Sequence, residues 1–207
     1  MSRPDLASDL VHFIRATSLA GAFNTLEAIR RTRMLIGSRR MVRGDHRVVC
    51  FSEAPLNVLG KAVGLAASGH GRYQPVGVMV SKRWLFERGG RPVIYQTDSE
   101  YAGLSEATQW RHVRFDLGAT PPVDFTWERE WRVRVDELPF SPNDVRVVVP
   151  DQEVLAWLRE RHDREQDDLT QSYGIIMGQE LAEAYREGFP WDIVNLRLDQ
   201  LLVSDAC

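Results

Sequence analysis

The 207-residue chain predicts an α+β fold in a single domain, with strands dominating the middle and helices at both ends. Three observations lead there. Valine-rich apolar runs recur between residues 10 and 150. Helical spacing of apolar residues is confined to residues 19–32, shorter stretches near the middle, and the region after Pro150. The regular strand–helix alternation of a doubly wound sheet is missing, as are the glycine-rich nucleotide-binding motifs. With 43% apolar residues the chain can fill a core. Residues 1–150 read as that core and 151–207 as helices packing on it.

Each element follows from its own residues. LVHFIRA (10–16) alternates and reads as a strand. Thr17 or Ser18 then caps a helix to about Thr32, with Leu19, Phe23, Leu26 and Ile29 on one face. A basic connection with turn signals at Gly37 and Gly44 leads to RVVCFSE (47–53), a buried strand. APLNVLGKAVGLAAS is expected to be helical and GHGRYQ a turn. PVGVMVS (75–81) is a strand, SKRWLFERGG a helical turn ended by its glycines, and RPVIYQT (91–97) a further strand. Residues 98–124 are expected to cross the surface as an irregular loop. FTWEREWRVRV (125–135) and DVRVVVP (144–150) are strands, separated by a turn at Pro139 and Pro142. QEVLAWLRERHDREQDDL and residues 175–188 are helical, and WDIVNLRL closes the chain as a strand.

Bulk properties narrow the function. No apolar run spans a bilayer, and the acid-bearing MSRPDLASDL lacks a signal core. A cytoplasmic protein without a membrane partner is expected. Cys50 and Cys207 support no disulfide framework, and histidines 12, 46, 70, 112 and 162 lack metal-ligand spacing, so no metal is expected. Charge is uneven. Residues 1–50 hold nine arginines against four acids, and residues 151–207 hold five against thirteen. Two solvated faces of opposite sign, packing on each other, explain this plainly. A basic first third is also suited to phosphates.

Three places could carry chemistry. In FTWEREWRVRV the two-residue period puts Trp127, Trp131, Val133 and Val135 on a buried face. Glu128, Glu130, Arg132 and Arg134 share the exposed one, and Arg129 is the exception on the apolar side. An ordinary amphipathic strand with cross-strand ion pairs explains that pattern too. His12 lies on the first strand, where a lone histidine is commonly just hydrogen-bonded. Ser52 and Glu53 end a buried strand and could simply cap the next helix.

Together these pieces resemble a known superfamily. HFIRATSLAGAF, then VVCFSEAPL, then EREWRV resemble in order the three motif regions of DarT-like and RNA 2′-phosphotransferase-like ADP-ribosyltransferases. The second region departs from that pattern in lacking S-T-S. The combination with RPVIY also resembles AbiGi-type abortive phage-resistance proteins, described as antitoxins, over about residues 10–150.

The resemblance implies a split mixed β-sheet core that grips NAD, as substrate, in a cleft. Glu130 would be the catalytic glutamate. His12, Thr17 and Ser52 would serve the dinucleotide, and Tyr73 or Tyr95 would stack on a ring. Glu128 competes for the catalytic position and otherwise falls to the acceptor. One of Arg39, Arg40, Arg43 and Arg47 would meet the pyrophosphate or a DNA or RNA acceptor. The expected function is ADP-ribosyl transfer in a toxin or phage-defence setting. The alternative is a degenerate binding protein, partner to a cognate toxin or antitoxin.

Overall fold

A computed structural model describes residues 7–54 and 73–196. Most of the expected helix after CFSE, and GHGR of the turn behind it, lie outside the described residues. The first half contains β1 (Asp9–Arg15), α1 (Leu19–Thr32), β2 (Met34–Ile36), β3 (Val48–Ser52), β4 (Tyr73–Ser81), α2 (Lys82–Glu87), β5 (Arg91–Pro92) and β6 (Ile94–Gln96). The second contains α3 (Glu106–Gln109), β7 (His112–Arg114), β8 (Glu130–Arg134), β9 (Glu137–Pro139), β10 (Val145–Val149), α4 (Gln152–Met177), α5 (Gln179–Ala184) and β11 (Asp192–Asn195).

The fold is α+β, built on a mixed seven-stranded sheet in the order β11-β10-β4-β1-β3-β8-β5. Within this sheet only β10 and β11 run parallel; β6 and β7 pair parallel outside it. Two small two-stranded sheets, β2–β9 and β6–β7, sit outside it. Among the described residues no helix is long and apolar enough to cross a membrane.

The helices form where the sequence places their caps. Ser18, not Thr17, caps α1, its hydroxyl accepting from Gly21 N at 3.1 Å. Asp151 caps α4 through Val154 N at 2.9 Å. The main core joins α1 and α4 to the sheet through Leu10, Ile14, Leu26, Phe51, Val78 and Leu158. The oppositely charged ends of the chain do meet there. Arg30 of α1 binds Glu165 of α4 at 2.5 Å, and Arg161 reaches Glu27 at 3.1 Å.

Several expected elements change shape. RPVIYQT is not one strand: it leaves the main sheet after Pro92 and pairs with β7 from Ile94. Residues 98–124 carry α3 and β7 rather than a plain loop. MLI and ELP pair as β2–β9, with Leu35 and Leu138 opposite each other and both buried. α4 runs on to Met177, and the following helix is short, Gln179 to Ala184, after the left-handed Gly178. The 125–135 strand is cut to Glu130–Arg134. Thr126–Glu128 form a single 3-10 turn, and Arg129 takes a left-handed conformation at φ 45°. A left-handed residue cannot continue a strand, so the period-two pattern breaks there.

Candidate functional site

The sheet is closed everywhere except at one seam. β1 pairs with β4 along nearly its whole length, but with β3 only at Val11↔Ser52. Beyond that pair the two strands diverge. Gly77 opposite Phe13 allows β4 to press close to β1, since a Cβ there would collide with the His12 carbonyl. His12 sits in the gap. Its Nδ1–H donates to the Cys50 carbonyl at 2.8 Å, and its ring lies 5.7 Å from Phe51. A carbonyl only accepts, so the proton is on Nδ1 and Nε2 is left as an acceptor. Burial lowers the imidazole pKa, against the opposing pull of that carbonyl, and so favours the neutral ring.

The seam opens into a cavity of about 410 Å³. Into it come Cys50 and Ser52 from β3, and Glu130 and Arg132 from β8. The pairs Cys50↔Arg132 and Ser52↔Glu130 stand directly opposite in register. The odd-numbered neighbours Val49, Phe51, Trp131 and Val133 face the core instead.

Arg132 shares the face of Glu130, as alternation predicts, but that face is covered rather than solvated. Arg132 is 3% exposed. Its guanidinium holds Glu130 through Nε–Oε1 at 2.8 Å and Nη2–Oε2 at 3.4 Å. Nη1 donates to the carbonyls of Trp110 and His112, and Nη2 to that of Met41. All five donors are used. The signal available in the sequence was the opposite-charge pair two residues apart on one strand face, Glu130 and Arg132.

Glu128 lies off the strand yet lines the same cavity. The turn that presents it is pinned from β3. The Ser52 hydroxyl donates to the Glu128 carbonyl at 2.5 Å, and Glu53 N donates to the Arg129 carbonyl. The Glu53 carboxylate is taken by Lys82 at 2.5 Å and by the Trp131 indole at 2.7 Å. Ser52 and Glu53 are therefore braces of the glutamate turn. Desolvation, reinforced by the charge of Glu130, pushes the Glu128 carboxyl up to about 7.

The other expected residues divide. Tyr73 lines the cavity, and burial pushes its phenol up to about 12. Tyr95 is not in the lining: its hydroxyl accepts from Glu130 N at 3.0 Å and props the strand from behind. Thr17 is exposed at the turn before α1, outside the cavity. Arg40 lines the cavity, and its guanidinium has no ion-pair partner among the described residues. Arg39, Arg43 and Arg47 lie outside that lining and are paired with Asp45, Asp98 and Asp136. Three of the four arginines of the basic turn are thus paired in place. Trp127, expected in the core, is 48% exposed and stands with Phe125 on the cavity lining.

No family model, curated protein or solved structure matches the chain.

Proposed function

We infer that the protein is an NAD-dependent ADP-ribosyltransferase acting on a nucleic acid, in a toxin or phage-defence setting, with Glu130 as its catalytic carboxylate. The observation that supports this most is the seam: Glu130 and His12, distant in the chain, line one cavity opened by the divergence of β1 from β3. Its volume is in the range of small-molecule sites. Aromatic walls from Phe13, Tyr73, Phe125 and Trp127 suit a planar ring, and charged side chains, Glu128, Glu130, Arg40 and Arg132 among them, converge beside them.

The chemistry divides between the two glutamates. When the glycosidic bond of NAD breaks, nicotinamide leaves with the bonding electron pair and C1′ of the ribose becomes positive. Glu130 places a fixed anion for that charge. Arg132 occupies one lone pair on each Glu130 oxygen, and the others remain to accept a ribose hydroxyl. His12 Nε2 can accept from the second ribose. The acceptor's oxygen or nitrogen then bonds to C1′ and gives its proton to Glu128, whose pKa near 7 suits a general base. Arg40, without an ion-pair partner among the described residues, can meet a phosphate of NAD or of the acceptor at the cavity.

The test is direct. Wild type should release nicotinamide from NAD and transfer label to DNA or RNA. Glu130→Gln should lose about 10²- to 10³-fold in rate while still binding NAD. Absence of calorimetric NAD binding, or full activity in the variant, removes the reading. One contact favours the alternative of an inactive binding protein: the double hold of Arg132 on Glu130 also fits a purely structural ion pair. NAD binding without turnover would select it.

A further inference from the structure

We propose that the outer half of the α4–α5 hairpin is a docking arm for a basic protein partner, one with an apolar groove edged by lysine or arginine. The inference is independent of the enzymatic reading. α4 has 26 residues and so extends for about 39 Å. Its core-facing residues Val154, Leu155, Leu158 and His162 all lie in its first half. Beyond them Thr170 is its one buried residue, and what packs there is α5 and the returning chain. Arg186 binds Asp167 at 2.5 Å, Glu187 N donates to Gln166, and Ala182 is buried.

The rest of this arm carries large apolar side chains that are exposed among the described residues. Leu169, Tyr173, Ile176 and Met177 recur at helical spacing along α4, all exposed. Leu181 and Tyr185 continue the patch across the turn. Ile175 and Ile176 are 85% and 79% exposed. Such a concentration of large apolar side chains on one projecting hairpin marks an interaction surface.

Charge selects the occupant. Asp167 is held by Arg186, but between Asp168 and Tyr185 stand three further carboxylates, Asp168, Glu180 and Glu183, and no lysine or arginine. A symmetric second copy would bring two such acidic arms together, which like charges oppose. The chain's own arginine-rich turn is largely paired already. An amphipathic helical hairpin with an acidic rim fits a groove of the opposite character.

The experiment uses the full chain in its native cells with benzoylphenylalanine in place of Ile176, followed by irradiation. The expected product is an adduct with a different protein carrying more lysine and arginine than acid. For the purified pair, Ile175→Asp/Ile176→Asp should weaken binding at least about tenfold. Asp168→Asn/Glu180→Gln, or raising salt from about 0.1 to 0.5 M, should weaken it by about three- to tenfold. All four positions are exposed, and circular dichroism checks that the variants fold. An adduct between two copies, an adduct with residues 197–207 of the same chain, an acidic captured protein, binding that ignores both variants, or no adduct overturns the proposal.

Discussion

The two halves of the main sheet touch at a single registered pair and are built on different rules. On one side, β1, β4 and β10 bury apolar residues on both faces. Leu10, Val78 and Val147 belong to the main core, and Val11, Met79 and Val148 to a second cluster behind it. On the other side, β3 and β8 bury Val49, Phe51, Trp131 and Val133 on one face, and only Val48 is an apolar residue buried on the opposite one. Their other face holds Cys50, Ser52, Glu130 and Arg132. The first half is held by area removed from water, spread over many residues. The second is held by a few polar groups, each of which leaves an orphan behind when its partner goes. A cavity with charged walls is found where the second kind of construction meets the first.

That difference predicts unequal responses to single substitutions. Arg132→Met should be the most damaging, because it strands the buried carboxylate of Glu130 and the carbonyls of Trp110 and His112. A loss of about 3–5 kcal/mol is expected in urea unfolding, with NAD binding abolished. A loss under about 1 kcal/mol would show that solvent replaces the guanidinium and that the polar half is not brittle. Leu10→Ala in the apolar half should cost about 3 kcal/mol. It should leave ligand binding at permissive temperature unchanged, since Leu10 does not line the cavity.

The same division explains what could be read in the sequence. β4 and β10 are valine-rich strands, carrying PVGVMV and VRVVV, and their places follow from that enrichment. The polar half obeys a period-two rule that fails at one residue. Arg129 is left-handed, so Trp127 goes out and Glu128 leaves the strand, although Trp131 and Val133 keep their faces. Nothing in the side chain of Arg129 announces that turn; the hydrogen bonds from Ser52 and Glu53 impose it, and they come from 76 residues away in the case of Ser52. The burial of Arg132 escapes the pattern for a related reason. Alternation assigns a face but not its cover, and its cover is the Trp110–His112 segment, which has no strong pattern of its own. Glu130, His12 and Ser52 do come to one cavity, because order along the chain survives such rearrangements, although the Ser52 hydroxyl is taken by the Glu128 carbonyl. Thr17 and Tyr95 were assigned with the same motifs, yet one is exposed and the other stands behind the strand.

The seam itself can be weakened. His12→Ala removes the hydrogen bond that ties the diverging strands through the Cys50 carbonyl. The expected cost is about 2 kcal/mol, combining the lost bond with the orphaned carbonyl. Hydrogen exchange should quicken in β1 and β3 more than in β10. Equal acceleration across the sheet would mean that His12 is not the tie.

The smallest effect expected is the most specific to the polar half. A glutamate pushed from 4.5 to about 7 in the folded state keeps its proton where the unfolded chain has released it. Between those two values the native protein binds more protons, so its stability falls as pH rises and the penalty is constant above about 7. The full difference would be about 3 kcal/mol. Glu128 is only partly buried, and solvent screening reduces this to about 1 kcal/mol. Glu128→Gln should therefore match wild type near pH 4.5 and exceed it by about 1 kcal/mol at pH 8, as measured by urea unfolding across the series. The apolar half contributes no such slope, so Leu10→Ala should shift the whole wild-type curve down without changing its shape. If Glu128→Gln keeps the wild-type slope instead, the glutamate is ionised in the folded state at neutral pH. The two carboxylates would then repel each other across the cavity without a shared proton, and Glu128 would be too weak a base to take one from an acceptor.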